Sequence, residues 1–432
     1  MPGKSKRGKA GRRNNSDSAD ESATDTGSCI SDARDNVPSE ASNNDKNDVD
    51  ENYEQVSCDD DIDGLTSKSA QSRVSHYLKV GKSFTDKCVP DFIEGRKFTL
   101  ADAIERSLKK GRGEERSAAA KLSTLMCAQL GDCAEDVYKD LKATMMKIAN
   151  DNAASIAGRT ECCWSLGMNQ FLSGKDLGEF LELSQLLSNV FAGSYPKGDD
   201  VVAKVTPELA ALHASAVSSW TLLLTTMNSG AVNNLLKSAR TNTSVPSLDQ
   251  LSGLLRSPHL DVRTTAGEAL AVIFELGRGH SDDYERVWAE ELVETLKELA
   301  TDSSKSRAKK DKTIQRATFR DILRYIEEDI APETRIRFGK ETLLLNGWCA
   351  RSRYNAFCRL LGPGINIHLA ENQVLRDVFD LGNKIIAPVE DPATKVPKLQ
   401  KTLANAAAFK ARTKYRNKCR SQRSADLDAD EF

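Results

Sequence analysis

The sequence lacks the features that mark membrane-spanning, secreted and catalytic proteins. Its 432 residues contain no run of eighteen apolar residues and no apolar leader core behind Met1, which argues against a membrane span or secretion. GxSxG, HExxH and CxxC patterns are also missing, as is a catalytic acid pair with a partner histidine. We therefore expect a cytoplasmic or nuclear protein that is not an enzyme and needs no cofactor, metal ion or small-molecule substrate.

The residue types that could support chemistry are isolated from one another. Ten cysteines are scattered along the chain, and the closest groupings, Cys127 with Cys133 and Cys162 with Cys163, lack both CxxC spacing and a histidine at ligand spacing. Cysteines in such a pattern are usually buried free thiols rather than zinc ligands. His368 is equally isolated, so we expect it to pack or cap a helix rather than act as a base.

Charge is segregated along the chain, although the net charge is only −2. Residues 4–13 hold six cations and no acid, residues 17–63 hold sixteen acids and two cations, and residues 392–425 hold ten cations and no acid. Residues 1–65 are rich in Ser, Asn and Asp and nearly free of aromatics, so they cannot bury enough apolar surface to offset the entropy of ordering. We expect a disordered tail whose basic start is a nuclear address, a nucleic-acid arm or a solvated end.

A helical period runs from about residue 66 to residue 335. The stretch EERSAAAKLSTLMCAQL (114–130) places its apolar side chains on one stripe at helical spacing. Thr99 and Asp102 are predicted to cap another helix, which precedes the helix at 114–130. The same spacing predicts further helices at 153–172, 176–191, 208–227, 260–277 and 284–300.

One of these segments predicts how the helices are arranged. SPHLDVRTTAGEALAVIFELG (257–277) resembles the second helix of a HEAT or armadillo repeat, and GRTECCWSLGMNQFL (158–172) is a weaker copy. Small Ala and Gly residues let neighbouring helices approach closely, while Val, Leu and Ile fill the space between them. We predict an armadillo/HEAT-like helical solenoid over residues 66–335.

The chain changes character after Pro332. Residues 336–390 concentrate aromatic and branched side chains, which is enough for a small helical C-terminal domain, and Gly362-Pro363-Gly364 separates its main helices. A short strand at Thr342–Leu345 is weakly indicated. Residues 391–432 then form a linker, a basic terminal helix and an acidic end, so the predicted fold class is all-α.

Two basic segments are candidates for contact with nucleic acid. The first, in SSKSRAKKDKTIQR, is either a solvated loop that leads into the last core helix or a patch that touches phosphate. Its cations, opposed only by Asp311, are Lys305, Arg307, Lys309, Lys310, Lys312 and Arg316, and the first five are the candidate site residues.

The second, NAAAFKARTKYRNKCRSQR (405–423), is predicted to form a helix because of its alanines. Residues two apart on a helix lie about 200° around its axis, so the cations form two stripes on roughly opposite sides. Tyr415 adds a face for stacking on unpaired bases. This pattern fits a rod enclosed by phosphate, and the alternative is a basic tail that binds loosely or serves as an import signal. The two stripes are Lys410, Lys414 and Lys418, and Arg412, Arg416, Arg420 and Arg423.

With these residues in view, the chain resembles the interferon-related developmental regulator family from about residue 66 to its C-terminus. Several long blocks carry the resemblance in the same order: TLADAIERSLKKG, RSAAAKLSTLMCAQLG, AGEALAVIFELGRG, YNAFCRLLGPGINIHLAENQVLRDVFDLG and NAAAFKARTK. The resemblance implies an armadillo-like domain followed by a small C-terminal domain, without catalytic activity.

The resemblance also implies two regulatory roles. One is binding to the ribosome and repression of translation, in which the C-terminal helix, here the segment 405–423, enters the mRNA path. The other is transcriptional co-regulation in differentiation, in which a concave solenoid surface would hold a peptide of a histone deacetylase co-repressor complex. The expected partners are therefore ribosomal RNA and proteins, or those co-repressor proteins.

Overall fold

Helices build almost all of the described chain. The computed structural model describes residues 59–174, 176–198, 201–238, 245–301 and 308–384. A two-stranded hairpin, β1 (Glu333–Phe338) and β2 (Glu341–Asn346), is followed by α13 (Gly347–Leu361), α14 (Ile365–Glu371) and α15 (Gln373–Val378). The all-α prediction is confirmed. The helices before the hairpin are α1 (Ala70–Asp86), α2 (Pro90–Lys110), α3 (Glu114–Leu130), α4 (Glu135–Asn150), α5 (Ile156–Ser173), α6 (Leu177–Phe191), α7 (Pro207–Leu224), α8 (Ser229–Ser238), α9 (Leu248–Gly253), α10 (Leu260–Arg278), α11 (Arg286–Thr301) and α12 (Lys309–Glu328).

Helix starts follow local capping chemistry. Asp176 accepts a hydrogen bond from the Glu179 amide at the start of α6. Ser247 and Gln250 form a reciprocal capping box at the start of α9. Each cap satisfies backbone N–H groups that lack a partner within the helix. The predicted helices at 114–130, 176–191 and 260–277 match α3, α6 and α10 to within one residue at either end, although α3 and α10 begin without a side-chain cap.

Two predictions about the N-terminal part were wrong. Thr99 does not cap a helix, because it is an exposed residue inside α2, which begins at Pro90. Order also begins earlier than residue 66, since residues 59–64 are helical and Ile62 and Leu65 are buried. Residues 1–58 of the predicted tail lie outside the described residues.

The helices form two layers. Helices α3, α5, α7, α10 and α12 pack side by side in chain order and are called the inner layer here. Helix α2, which precedes α3, and helices α4, α6 and α11, which lie between inner-layer helices in sequence, pack against their neighbours in the inner layer. Buried apolar side chains of both layers form one continuous core. This alternation is the arrangement expected of a helical solenoid.

Glycines set the spacing within the inner layer. A Cβ atom on Gly167 of α5 would lie 2.5 Å from Cβ of Ser219 on α7. A Cβ atom on Gly267 of α10 would lie 2.8 Å from Cε1 of Phe319 on α12. Because these glycines carry no side chain, the helices can approach each other closely, as the sequence predicted.

A buried arginine joins α10 to α12. The side chain of Arg263 is 2% exposed, and its Nη2 donates to Oε1 of Gln315 at 2.7 Å. Its Nη1 donates to the carbonyl of Ser257 at 2.6 Å. Arg263, which belongs to the segment 257–277 that resembles a repeat helix, therefore links two inner-layer helices.

The hairpin was only partly predicted. The expected strand Thr342–Leu345 lies within β2, which pairs antiparallel with β1 from Glu333↔Asn346 to Phe338↔Glu341. Strand β1 was missed, although Ile336 and Phe338 alternate with exposed Arg335 and Arg337 as in a half-buried strand. The proposed domain boundary between residues 335 and 336 falls inside β1, and the division into four domains stays a prediction.

The glycine spacing yields a test by substitution. We expect Gly167→Ala to lower the free energy of unfolding by about 1–2 kcal/mol, because overpacking costs about 1–3 kcal/mol and exceeds the gain in helix propensity of up to ~1 kcal/mol. The matched control is Gly95→Ala in α2, where an added Cβ meets no atom within 4 Å. Gly95→Ala should leave stability unchanged or raise it slightly in urea unfolding followed by circular dichroism. Equal stability of the two variants would contradict close packing at Gly167.

Candidate nucleic-acid interface

The structure describes only part of the two predicted basic segments. All eight candidate residues of the terminal segment (Lys410, Arg412, Lys414, Tyr415, Arg416, Lys418, Arg420 and Arg423) lie outside the described residues, as do Lys305 and Arg307. Their roles stay predictions. Lys309, Lys310 and Lys312 are described, and they belong to the first turn of α12 rather than to a loop.

Helix α12 is strongly two-sided. The side chains of Phe319, Ile322 and Ile326 are buried against the inner layer, and Gln315 and Tyr325 lie on the same side. At about 100° per residue, these buried positions occupy one half of the helix circumference. The other half faces solvent.

The solvent-facing half of α12 is basic. Six cations fall on it between residues 309 and 324. Of the two acids in that stretch, Asp311 lies on the opposite side of the helix, whereas Asp321 lies at the edge of the cationic arc, about 20° beyond Lys310 at about 100° per residue. Oδ2 of Asp321 accepts from Nη1 of Arg351 at 3.0 Å. The cations are Lys309, Lys310, Lys312, Arg316, Arg320 and Arg324, and we call this surface the α12 basic face.

The predicted patch extends to Arg316 and its named site residues only to Lys312, so it leaves out Arg320 and Arg324. The signal was present, because Lys312, Arg316, Arg320 and Arg324 repeat every four residues and thus share one side of a helix. Arg320 and Arg324 are exposed in the structure. The basic surface is therefore longer than the predicted patch.

An acidic cleft limits the basic face at the C-terminal end of α12. The cleft has a volume of about 620 Å³ and is lined by the ends of α10 and α12 and by α11. Arg278 and Arg286 also line the cleft and pair with Asp329 and Asp283, but the carboxylates outnumber them. Phosphate is therefore disfavoured there, and an anionic partner is directed to the first four turns of α12. The carboxylates that line the cleft are Asp282, Asp283, Glu290, Glu327 and Asp329.

The inner layer is covered by the chain's own residues 347–378, which we call the C-terminal module. Phe357 of α13 contacts Phe171 of α5 edge to face, with ring centroids 6.3 Å apart. The guanidinium of Arg359 lies 4.0 Å from the ring centroid of Trp164. Nε of Arg353 donates to Oγ1 of Thr225 at the end of α7, at 3.1 Å. Helix α13 therefore crosses several inner-layer helices.

A carboxylate from the inner layer fixes the start of α13. Glu275 of α10 accepts hydrogen bonds from the backbone amides of Trp348 and Cys349, the latter at 3.2 Å. The negative charge also matches the positive end of the helix dipole. Gly347 has a φ of +88°, and an added Cβ would lie 2.6 Å from Oε2 of Glu275, so a glycine is required there.

The other end of the C-terminal module is held by a buried histidine. His368 is 0% exposed, and its Nε2 lies 3.1 Å from the carbonyl oxygen of Thr85 at the end of α1. Nδ2 of Asn372 donates to the carbonyl of Ala128 at 2.8 Å. Burial lowers the pKa of His368, which favours the neutral ring. The prediction that His368 packs rather than acts as a base agrees with this position.

A cavity of about 190 Å³ lies between α13 and the inner layer, and Glu268 and Arg359 are among its lining residues. Burial raises the pKa of the Glu268 carboxyl, and Arg351 partly opposes that shift. The same causes raise the pKa of Glu161, with Arg359 opposing. Ligand pockets usually measure about 300–1,000 Å³, so this space is small for an organic ligand.

The cysteines in the described ranges are free thiols, and Cys127, Cys162 and Cys163 are buried. Burial raises the pKa of Cys127 and Cys163 to about 12, so these thiols are unreactive. Among the residues that the structure describes, no three His, Cys, Asp or Glu side chains come together to hold a metal ion. In the same ranges, no helix combines the length and the apolar character needed to cross a bilayer.

The contacts at the start of α13 yield a test of how the C-terminal module is held. We expect Glu275→Ala to reduce stability by about 0.5–2 kcal/mol, the usual cost of losing a helix cap. Amide hydrogen exchange in α13 should accelerate more than exchange in α4. Glu291→Ala is the matched control, because Glu291 is exposed on α11 and forms no hydrogen bond or ion pair within the described ranges. Unchanged exchange in α13 would show that Glu275 does not anchor the module.

Comparisons with known proteins agree with the resemblance seen in the sequence. The family model "Interferon-related developmental regulator (IFRD)" matches residues 22–327, and the model "Interferon-related protein conserved region" matches residues 372–424. The chain is 38% identical over 374 residues to interferon-related developmental regulator 1 of Sus scrofa, covering 86% of this chain and 81% of that protein. The human protein of that name is 37% identical, covering 86% of this chain and 80% of that protein. Mouse interferon-related developmental regulator 2 is 35% identical, covering 87% and 85%. The chain belongs to the interferon-related developmental regulator family.

Proposed function

We propose that this protein is a non-catalytic regulator that binds the ribosome and represses translation by placing its basic terminal segment, residues 405–423, in the mRNA path. The protein would compete with mRNA for a channel lined by RNA phosphate. It would act by occupancy, without changing a covalent bond. This role requires the cytoplasm, while the basic residues 4–13 are a candidate signal for entry into the nucleus as well.

The observation that carries the proposal is the charge pattern of the terminal segment. Seven cations and no acid fall between residues 410 and 423, and the conserved-region model includes them. A helix that lies in one groove needs cations on one side only, whereas this pattern puts cations on two opposite sides. Two-sided charge suits a helix surrounded by phosphate.

The packing of the C-terminal module bears on the alternative role as a nuclear scaffold. That role was predicted to use a concave solenoid surface that holds a peptide of a histone deacetylase co-repressor complex. In the described chain, α13 covers the inner layer and contacts its residues Phe171, Trp164 and Thr225. A partner peptide would have to displace α13, so we favour the ribosomal role.

Co-sedimentation with purified ribosomes tests the proposal. The full chain should sediment with ribosomes and inhibit translation in a cell-free extract, and a chain that ends at Val396 should bind more weakly and should not inhibit translation. If six cations meet phosphate, the slope of log affinity against log salt should be about −4 on the single-strand estimate of about 0.7 per contact. The truncated chain should show a slope closer to zero.

A second truncation separates the effect of the basic segment from that of the acidic end. A chain that ends at Ser424 keeps the basic segment and loses only the acidic end, so it should bind at least as tightly as the full chain. Equal ribosome binding by the full chain and the chain ending at Val396 would contradict the proposal. Absence of binding by every form would contradict it as well.

A further inference from the structure

We propose that the α12 basic face is a second RNA-binding surface and that its ligand is the phosphate backbone of double-helical RNA. The inference rests on the proposed function in one respect, since it takes RNA as the partner. It adds a site on the folded helical domain and names a class of RNA. The face would anchor the protein beside the single-stranded path that the terminal segment enters.

The cations of the α12 basic face lie along one side of a helix. From residue 309 to residue 324 the helix rises about 22 Å at 1.5 Å per residue. The six cations fall within roughly 160° of the circumference at about 100° per residue, which leaves the opposite side for the core. Phe319 and Ile322 on that opposite side are 0% exposed. The cations therefore lie on the exposed side of a helix whose other side is fixed in the core.

Several of the cations are available to a ligand. Lys309, Lys310 and Arg320 are exposed, and their side chains form no ion pair or hydrogen bond with any residue in the described ranges. Arg324 contacts Glu328 at 3.4 Å, an exposed pair between neighbouring turns that phosphate can displace at little cost. A phosphate that binds these four cations therefore need not break a buried contact.

The charge of this face is unusual for a surface helix of this chain. The neighbouring helix α11 carries four exposed or half-exposed acids, including Glu294 and Glu298, against the two cations Arg286 and Lys297. The whole chain has a net charge of −2. Surface charges kept only for solubility are normally interspersed in sign, so a continuous cationic stripe beside an acidic helix indicates a binding surface for an anion.

Helix α12 has no exposed aromatic ring, which favours double-helical RNA over single-stranded RNA as the ligand. Proteins that bind single strands stack bases on aromatic side chains, whereas double-helical RNA is recognised through phosphates, 2′-hydroxyls and shape. The aromatic residues of α12, Phe319 and Tyr325, are 0% and 4% exposed and point into the core. One-sided charge also suits a helix that lies along a duplex, in contrast to the terminal segment.

An anionic membrane is the competing ligand for a basic helix. Helices that bind membranes insert a broad apolar face opposite their cations. The apolar side of α12 is already buried in the core, and Leu323 at its edge is only half-buried. Insertion of α12 would therefore require the solenoid to open.

The test uses the full chain and two variants that remove equal charge. The face variant is Lys309→Gln, Lys310→Gln and Arg320→Gln. The control variant is Lys82→Gln, Lys147→Gln and Arg106→Gln, three exposed cations on α1, α4 and α2 that form no hydrogen bond or ion pair within the described ranges. Both variants should keep the circular dichroism spectrum and unfolding midpoint of the parent chain.

Binding is measured by fluorescence anisotropy over a salt series with a 20-base-pair RNA duplex, a 20-nucleotide single-stranded RNA and phosphatidylserine vesicles. We expect the face variant to lose about two to three units of duplex salt slope, at about 0.9 per phosphate contact, and the control variant to keep the parent slope. Single-strand binding should be unchanged. Equal loss in both variants, loss only with the single strand, or loss only with vesicles would overturn the inference.

Ribosome co-sedimentation of the same variants distinguishes this inference from the proposed function. If the chain ending at Val396 loses ribosome binding while the face variant binds duplex RNA normally, the proposed function stands and the α12 inference fails. If the face variant loses duplex binding while no form of the chain sediments with ribosomes, the α12 site stands and the proposed function fails.

Discussion

The burial of the inner-layer helices α3 and α5 on all sides is the constraint on which the rest of the structure depends. Residues 122–130 of α3 and 162–170 of α5 are buried without interruption over more than two turns each. A helix that is buried all round cannot lie at a surface, so it must be covered on both faces. The second layer covers one face, and the C-terminal module covers much of the other.

This constraint explains how charge is distributed in the folded chain. Because the inner layer meets the C-terminal module through apolar and hydrogen-bonded contacts, its exposed cations are concentrated on α12, the last helix of the layer. Arg353 and Arg359 are instead engaged with Thr225 and Ser215. A surface that could have held a partner peptide is used for the fold, and in the described ranges a strongly basic surface lies on α12.

The sequence predicted local features better than distant contacts. The bounds of α3 followed from the apolar spacing of residues 114–130, and the close approach of α5 and α7 was expected from small residues. The contact of Glu275 with the start of α13 could not be predicted, because it joins residues 73 positions apart and leaves no local pattern. Strand β1 was missed for a different reason, since a helical period was extended across its alternating residues. Part of the candidate site was visible in the four-residue repeat of cations on α12, but its exposure depended on which side of the helix the core covers.

The central claim is that this regulator occupies the mRNA path with its terminal segment while its solenoid stays folded beneath the C-terminal module. Cryo-electron microscopy of the full chain bound to ribosomes tests it most directly. The account predicts helical density for residues 405–423 inside the mRNA channel, with α13 still packed on the inner layer. An mRNA channel without that density in particles that carry the bound solenoid would contradict it.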